Sequence, residues 1–361
     1  MATHQENPEI AATVPAGRAA VLGTLVFLVI AVAGVTWAKW WPYAHKLVTV
    51  AARHTLGPSI LTGHAATPPA PSWHAALDYG ITYFNSIWVA LVAALLIAAA
   101  VEAFLPRRWL LGVLAKGPRR LGGTFAGGLL SMPTMMCTCC TAPVTVSLRR
   151  RGASAPAALA YWVGNPTLNP AVLAFMAIVL PWPWVTVRIV GGVALVFVIT
   201  ALAGRRATGR AEPARLIDHA DDPVHAGPAI GRFARALGRL TITLIPEYII
   251  IVLALGALRG WLFPFAGNLG TWVLLAVPVL AIAGTLFVIP TAGEIPIIQG
   301  LLLAGIGTGP AAALLITLPA LSLPSLVMVG RAFPRRVLLA LSAAVIMLGI
   351  ISAAVLAALP A

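Results

Sequence analysis

The sequence predicts an all-α polytopic membrane protein built as an inverted repeat with two broken, re-entrant helix segments. Three observations carry that expectation. Of the 361 residues, 60% are hydrophobic and only 9% are charged, against roughly 25% charged in a typical soluble domain. Uncharged runs separate the charges, and a transmembrane helix needs about 20 such residues. Pro and Gly interrupt two of these runs at corresponding places, where a continuous helix would not carry them. A chain this poor in polar residues cannot build a soluble shell. That excludes an ordinary cytosolic enzyme, a nucleic-acid-binding module and a disordered protein. At a mean hydropathy of +0.94, the length holds roughly seven to ten spans.

The first apolar run is 19–38. Only Arg18 precedes it nearby and no clear small-residue cleavage site follows, so it is expected to remain as a first span. With the N-terminus inside, residues 42–78, rich in Pro, His and Ala, fall outside. Residues 80–105 return and deliver Arg107, Arg108, Lys116, Arg119 and Arg120 to the cytoplasm. The run 121–148 ends at Arg149-Arg150-Arg151. A full crossing would place these arginines outside, whereas a hairpin keeps them inside. Pro133 and Pro143 interrupt the run, so it reads as a broken, re-entrant segment. Residues 155–180 cross outward to Pro181-Trp182-Pro183-Trp184, whose tryptophans suit an interface. Residues 185–204 return to Arg205, Arg206 and Arg210.

Residues 205–239 hold seven Arg and four acids and read as a cytoplasmic linker. Residues 240–258 cross outward, 265–304 dip and return, 309–330 cross inward to Arg331, and 337–359 cross out. Five basic residues (Lys39, Lys46, Arg53, Arg188 and Arg259) then lie outside and the other 19 of the 24 lie inside. Basic loops favour the cytoplasmic face, so the net charge of +14 reflects topology and not a nucleic-acid partner. The expected segments are 1–80, an N-terminal span and outer loop; 81–204, a first membrane repeat; 205–239, the linker; and 240–361, a second repeat.

The two repeats share anchors. Ala126-Gly127-Gly128-Leu129-Leu130-Ser131-Met132-Pro133 parallels Ala283-Gly284-Thr285-Leu286-Phe287-Val288-Ile289-Pro290. Pro143/Pro296, Gly152/Gly305 and Pro166/Pro319 share an offset of 153, and Gly127/Gly284 and Pro133/Pro290 an offset of 157. The first copy therefore holds four extra residues, which coincide with the stretch from Met135 to Cys140. The first copy begins outside and the second inside. That is an inverted repeat, a common plan of secondary transporters, whose sites lie near the midplane where interrupted segments meet.

All three Cys lie in Cys137-Thr138-Cys139-Cys140, which is no disulfide framework. Thiolates are soft ligands, so Cys137, Cys139 and Cys140 are candidate ligands for a thiophilic substrate, with Met132, Met135 and Met136 adding thioether character. The alternative is packing of small buried hydrophobes. The seven His lie outside the apolar runs without metal-ligand spacing, so neither a metal site nor a cofactor is expected. Gly164-Asn165-Pro166-Thr167-Leu168-Asn169-Pro170 places Asn165 and Asn169 on one helix face inside the membrane. They either line a site or cap a broken turn. Asn169-Pro170-Ala171 spells an aquaporin tripeptide, but the second half lacks a partner copy, which rejects that reading.

Glu294 lies between Pro290 and Pro296, beside the Cys cluster in the repeat alignment. Its nearest charge in sequence is Arg259, 35 residues away. An ionisable group at membrane depth is a functional candidate, so Glu294 is read as an unpaired proton-coupling residue. Glu102, close to Arg107 and Arg108, and Glu247 read as snorkelled ion pairs, and Asp78 as solvated. Gln299 and Ser322 are weaker pore-lining candidates.

The stretch from Gly127 to Leu173 resembles the predicted-permease family that includes the trivalent organoarsenical efflux permeases. The matching parts are Gly127, Pro133, Cys137-Thr138-Cys139, Pro143, the basic turn Arg149-Arg150-Arg151-Gly152, and Pro166 followed by Asn169-Pro170. Thr138 stands where that family usually has Ser, and Cys140 where it often has Gly. The resemblance implies a multi-span permease of the cell membrane and, for some members, trivalent arsenicals as substrates. The expected function is efflux of a small thiophilic or metalloid compound, with protons as the candidate drive. The expected partners are that substrate and the lipid bilayer, with no nucleic acid; oligomeric state is left open. No Gly-x-x-x-x-Gly-Lys-Ser/Thr signature for a nucleotide occurs. The alternative is a membrane-embedded thiol oxidoreductase, which normally needs a second Cys pair. A scaffold without a substrate path is disfavoured by the polar centre.

Overall fold

The computed structural model of the protein describes residues 16–63, 65, 67–105, 110, 114, 122–208, 228–263 and 273–359. Among the described residues every regular element is helical. In lipid, an isolated segment satisfies its backbone only through bonds within itself, which a helix does. Seven helices among the described residues are long and apolar enough to cross a membrane: Val21–Arg53, Trp73–Phe104, Ala155–Val179, Trp182–Arg205, Ala229–Leu262, Thr308–Val329 and Arg335–Ala358. Each overlaps one of the seven runs expected to cross, but the first runs on to Arg53, into residues expected to form an outer loop, and the fifth starts at Ala229, inside the expected linker. Arg107, Arg108, Lys116, Arg119, Arg120 and linker residues 209–227 lie outside the described residues.

Helix α1 (Ala16–Val35) passes through a π-helical turn at Thr36–Trp40 into α2 (Trp41–Arg53). Helix α3 (Trp73–Phe104) starts at Ser72, whose hydroxyl accepts from the Ala75 N–H and so satisfies one orphan donor of the first turn. Next come α4 (Gly122–Ser131), α5 (Thr138–Arg150), α6 (Ala155–Thr167), α7 (Pro170–Val179) and α8 (Trp182–Val193), the last continued by a π-helical turn into α9 (Thr200–Thr208). Helix α10 (Ala229–Leu262) is followed by α11 (Val273–Leu286), α12 (Glu294–Leu303), α13 (Thr308–Ala320), α14 (Leu323–Val329) and α15 (Arg335–Ala358).

Both irregular segments are broken as expected. Helix α4 ends in a single 3₁₀ turn at Met132–Thr134, Met135 is left-handed with φ of 50°, and Cys137 is extended at the start of α5. Pro143 does not interrupt the backbone as expected, but sits inside α5. Its missing N–H there deprives only one carbonyl, that of Cys139, of its helical donor. The second break spans 287–293, with Ala292 left-handed at φ 69°, and α12 begins at Glu294. A non-glycine residue in this region is strained and persists only where its surroundings hold it. Three occur among the described residues, and two of them mark the two breaks.

The turns α5–α6 and α12–α13 place Gly152 at φ 99° and Gly305 at φ 77°, a conformation glycine adopts without a Cβ clash. A Cβ on Gly127 of α4 would overlap the Ala157 carbonyl of α6. One on Gly284 of α11 would lie 2.8 Å from the Leu314 side chain of α13. Small residues let membrane helices approach closely. The order helix, break, helix, glycine turn, helix, break, helix thus runs from α4 to α7 and again from α11 to α14.

Helices α3 and α10 pack along their length and are clamped at both ends. Arg259 donates to Asp78 at 2.9 Å, and Arg239 pairs with Glu102 at the other end. Asp78 is 56% exposed, as expected, yet it has this partner. Glu102 also meets Arg150 at 3.6 Å, and Glu247 pairs with Arg331 at 2.7 Å. Both acids are therefore ion-paired, but Glu102 is buried and its partners are Arg239 and Arg150, while Arg107 and Arg108 lie outside the described residues. Helices α6 and α13 are buried along almost their whole length. Ile81, Trp88, Ile242, Ile250, Leu339 and Met347 are exposed instead, a surface suited to lipid and not to water. Trp41, Trp73, Trp182 and Trp261 are exposed near helix ends.

Candidate functional site

The two breaks meet at the centre of the bundle. A void of about 10 Å³ lies between them, about the space of one water. Cys137 and Thr138 line it from the first break, residues 289–292 and Glu294 from the second, and Pro166 and Pro319 close it. The structure thus brings Cys137 and Glu294 to one place. Cys139, Cys140, Asn165 and Asn169 do not line the void.

All three thiols are free and buried. Cys137 Sγ lies 3.1 Å from Cys140 Sγ, one turn along α5. Cys139 Sγ lies 3.1 Å from the hydroxyl of Ser322, the residue that caps α14. Thr138 Oγ1 is 3.4 Å from the same hydroxyl. The Tyr83 and Tyr248 hydroxyls share a 2.6 Å hydrogen bond, and the Tyr79 hydroxyl donates to the Val288 carbonyl in the second break. Among the described residues no three His, Cys, Asp or Glu side chains are arranged to hold a metal.

Asn165 holds the first break, and Asn169 caps α7. Asn165 Oδ1 accepts from Thr134 Oγ1 and, at 3.2 Å, from the Met136 N–H, while its amide donates to the Tyr161 carbonyl at 2.9 Å. This ties α6 to the first break. Asn169 Oδ1 accepts from Ala171 N at 3.1 Å and Val172 N at 3.3 Å, which caps α7. Its Nδ2 is buried without a hydrogen-bond partner.

Glu294 is the first residue of α12 and is buried. The expectation that it has no partner is wrong, and so is the placement of Arg188 outside. Arg188 is fully buried in α8, and its Nη2 lies 3.2 Å from Glu294 Oε1. The physical reason is backbone left unsatisfied by proline. Pro170 has no N–H for the Pro166 carbonyl, and Pro319 has none for Leu315. The Ala171 N–H is taken by Asn169, which frees the Thr167 carbonyl. Arg188 donates to all three: 2.9 Å to Thr167, 2.8 Å to Pro166, and to Leu315. A guanidinium has five N–H donors in a fixed fork, which makes it the side chain for this task. Glu294 Oε2 is buried with no hydrogen-bond partner.

Sequence reasoning also missed Lys39. It sits in the π-helical turn and is buried, and its ammonium donates to Thr291 Oγ1 at 3.0 Å and to the Tyr43 hydroxyl at 3.1 Å. Single π turns inside α-helices recur at functional sites. A cavity of about 850 Å³ lies beyond it, lined by Lys39, Lys46, Asp78 and Arg259. Pro290, Thr291 and Ala292 line both this cavity and the central void. Arg188 and Lys39 shared one signal: each is a lone charge inside or at the end of an apolar run, and such charges face the protein interior or a cavity.

Residues 72–358 match the model of a family described as a predicted permease, ArsP_1. The chain is 45% identical over 328 residues to UPF0718 protein YraQ of Escherichia coli strain K12, covering 90% of this chain and 92% of that one. No solved structure matches.

Proposed function

Because the chain belongs to this family of permeases and is a multi-pass membrane transporter rather than an enzyme, we propose that it is a secondary transporter of the cell membrane that exports a small thiophilic or metalloid compound, such as a trivalent organoarsenical. One observation carries the proposal. Cys137 and Cys140 lie with their sulfurs 3.1 Å apart, and Cys137 faces the same void as Glu294, where both backbone breaks meet. Paired thiols suit a soft, multivalent centre. Cys139 joins them as a ligand once it leaves Ser322. Asn165 serves the site by fixing the first break, and Asn169 by capping α7 beside Pro166.

Glu294 is the proposed proton-coupling residue. Protonation would remove the negative partner of Arg188, while the three carbonyls would keep the guanidinium in place. The recurring element order supports reading 81–204 and 240–361 as inverted halves, joined by a cytoplasmic linker at 205–239 and preceded by the unit 1–80. With Lys39, Arg188 and Arg259 buried in the protein, Lys46 and Arg53 of α2 remain as the basic residues of the proposed outer side, which supports the proposed orientation. Labelling of a cysteine at residue 220 from the outer face, on a background without native Cys, would refute it. The oxidoreductase alternative draws no support, since the chain has three Cys in one cluster and no second pair.

The test is accumulation in a sensitive host challenged with arsenicals, antimonials and soft metals. Expression should lower accumulation of at least one of them. Replacing Cys137, Cys139 and Cys140 with Ser should abolish this at unchanged protein level. Glu294→Gln should lose gradient-driven export and keep downhill exchange. Unchanged export by the triple variant would reduce the thiols to packing residues.

A further inference from the structure

The thiols and Glu294 leave the 850 Å³ cavity and its cations without a role. Its volume lies within the range of small-molecule sites. Asp78 neutralises Arg259 at 2.9 Å, which leaves Lys39 and Lys46 with no carboxylate partner among the described residues. Lys39 is only 6% exposed, and its ammonium is bonded to two neutral hydroxyls alone. A buried cation without a counter-charge is costly, and an anion arriving from the cavity would offset that cost. Arg259 adds an unmet donor, because its Nε is buried with no hydrogen-bond partner. Trp37, Trp41 and Tyr43 supply aromatic surface on the same wall.

We propose that this cavity binds a small organic monoanion, its carboxylate between Lys39 and Arg259 and its apolar part against Trp37 and Trp41. The site is separate from the central void: neither Cys137 nor Glu294 lines it. Lys39 and Lys46 precede residues 72–358, so the cations come from the helix ahead of the family-matched region. The Lys39 ammonium has three donors, two of them given to Tyr43 and Thr291, so the anion takes the third beside the Thr291 bond. Occupancy is thereby linked to the second break.

The experiment is calorimetric titration of the full chain in detergent micelles with benzoate, and with benzyl alcohol and benzylammonium as controls of similar size. Benzoate should bind about tenfold or more tightly than benzyl alcohol, since a desolvated charge pair is involved. Benzylammonium should not bind. Benzoate affinity should fall as salt rises. Lys39→Gln should weaken benzoate about tenfold or more, and the exposed Lys46→Gln about twofold to fivefold. Lys39→Arg should keep most of the affinity. Equal binding of benzoate and benzyl alcohol, or unchanged benzoate affinity in Lys39→Gln, overturns the proposal. If Lys39→Gln does not fold, a salt-independent benzoate affinity or an unchanged Lys46→Gln overturns it. Binding is read without transport, so the thiol proposal stands or falls separately.

Discussion

Replacing Arg188 with Met should be far more damaging than removing the charge of its partner. Met fills much of the same volume without donors. The three carbonyls of Pro166, Thr167 and Leu315 then have no partner, because proline or an asparagine cap has already removed their helical donors. An unsatisfied buried acceptor costs roughly 1–3 kcal/mol, so three cost on the order of 3–9 kcal/mol. Whole domains are stable by only about 5–15 kcal/mol. Glu294 adds to the loss if it stays ionised, but it can relieve that part by taking a proton. Glu294→Gln behaves differently. The amide oxygen still accepts from Arg188, and the three carbonyl bonds survive, so roughly 1–3 kcal/mol is lost. The assay is thermal unfolding of purified protein in detergent, with yield of monodisperse protein as a second readout. Arg188→Met should be unfolded or strongly destabilised, and Arg188→Met with Glu294→Gln should remain so. Equal destabilisation by Arg188→Met and Glu294→Gln would refute the reasoning, since the ion pair and not the carbonyls would then hold the centre together. Rescue of Arg188→Met by Glu294→Gln would refute it as well.

Two further outcomes follow from single side chains. Asn165→Ala removes the acceptor for Thr134 and the Met136 N–H, so it should destabilise by roughly 1–3 kcal/mol and raise hydrogen exchange at the Met136 amide; an unchanged exchange rate there contradicts the assigned role. Gly127→Ala forces α4 away from the Ala157 carbonyl and should cost about 1–3 kcal/mol in thermal unfolding. Gly238→Ala, with nothing within 4 Å of the added Cβ, should be neutral or slightly stabilising, and a larger loss at Gly238 than at Gly127 would show that close approach is not what the glycine provides.

The crossings were legible because lipid imposes its requirement on one segment at a time. A run such as 337–359 must be apolar throughout, whatever lies beside it. The breaks were legible for a similar local reason, since Pro133 and Pro290 cannot donate to a helical ladder. Pairing across the bundle is another matter. Arg188 and Glu294 are 106 residues apart, and nothing in either neighbourhood names the other. Arg188 looked like a gap between two spans because a single charge splits an apolar run. The carbonyls that require it are fixed by Pro170 and Pro319, so the need was written in the sequence but the side chain that meets it was not. Asn169 shows the converse. Its place before Pro170 made a cap readable, and the structure has that cap. Lys39 directly follows the run 19–38, where a charge at the membrane boundary and one buried in the protein have the same sequence pattern.

The strand of residues shared by cavity and void has a mechanical consequence. Pro290, Thr291 and Ala292 line both the 850 Å³ cavity and the 10 Å³ void, so this one stretch lies between them. The left-handed Ala292 at φ 69° holds strain, and relaxing it toward the ordinary backbone region would swing the Ala292 and Gly293 peptides. Such a relaxation rotates a few dihedral angles and leaves the long helices in place. Ala292→Gly would remove this strain without adding bulk. The expected signature is leak: faster downhill flux with less dependence on Glu294.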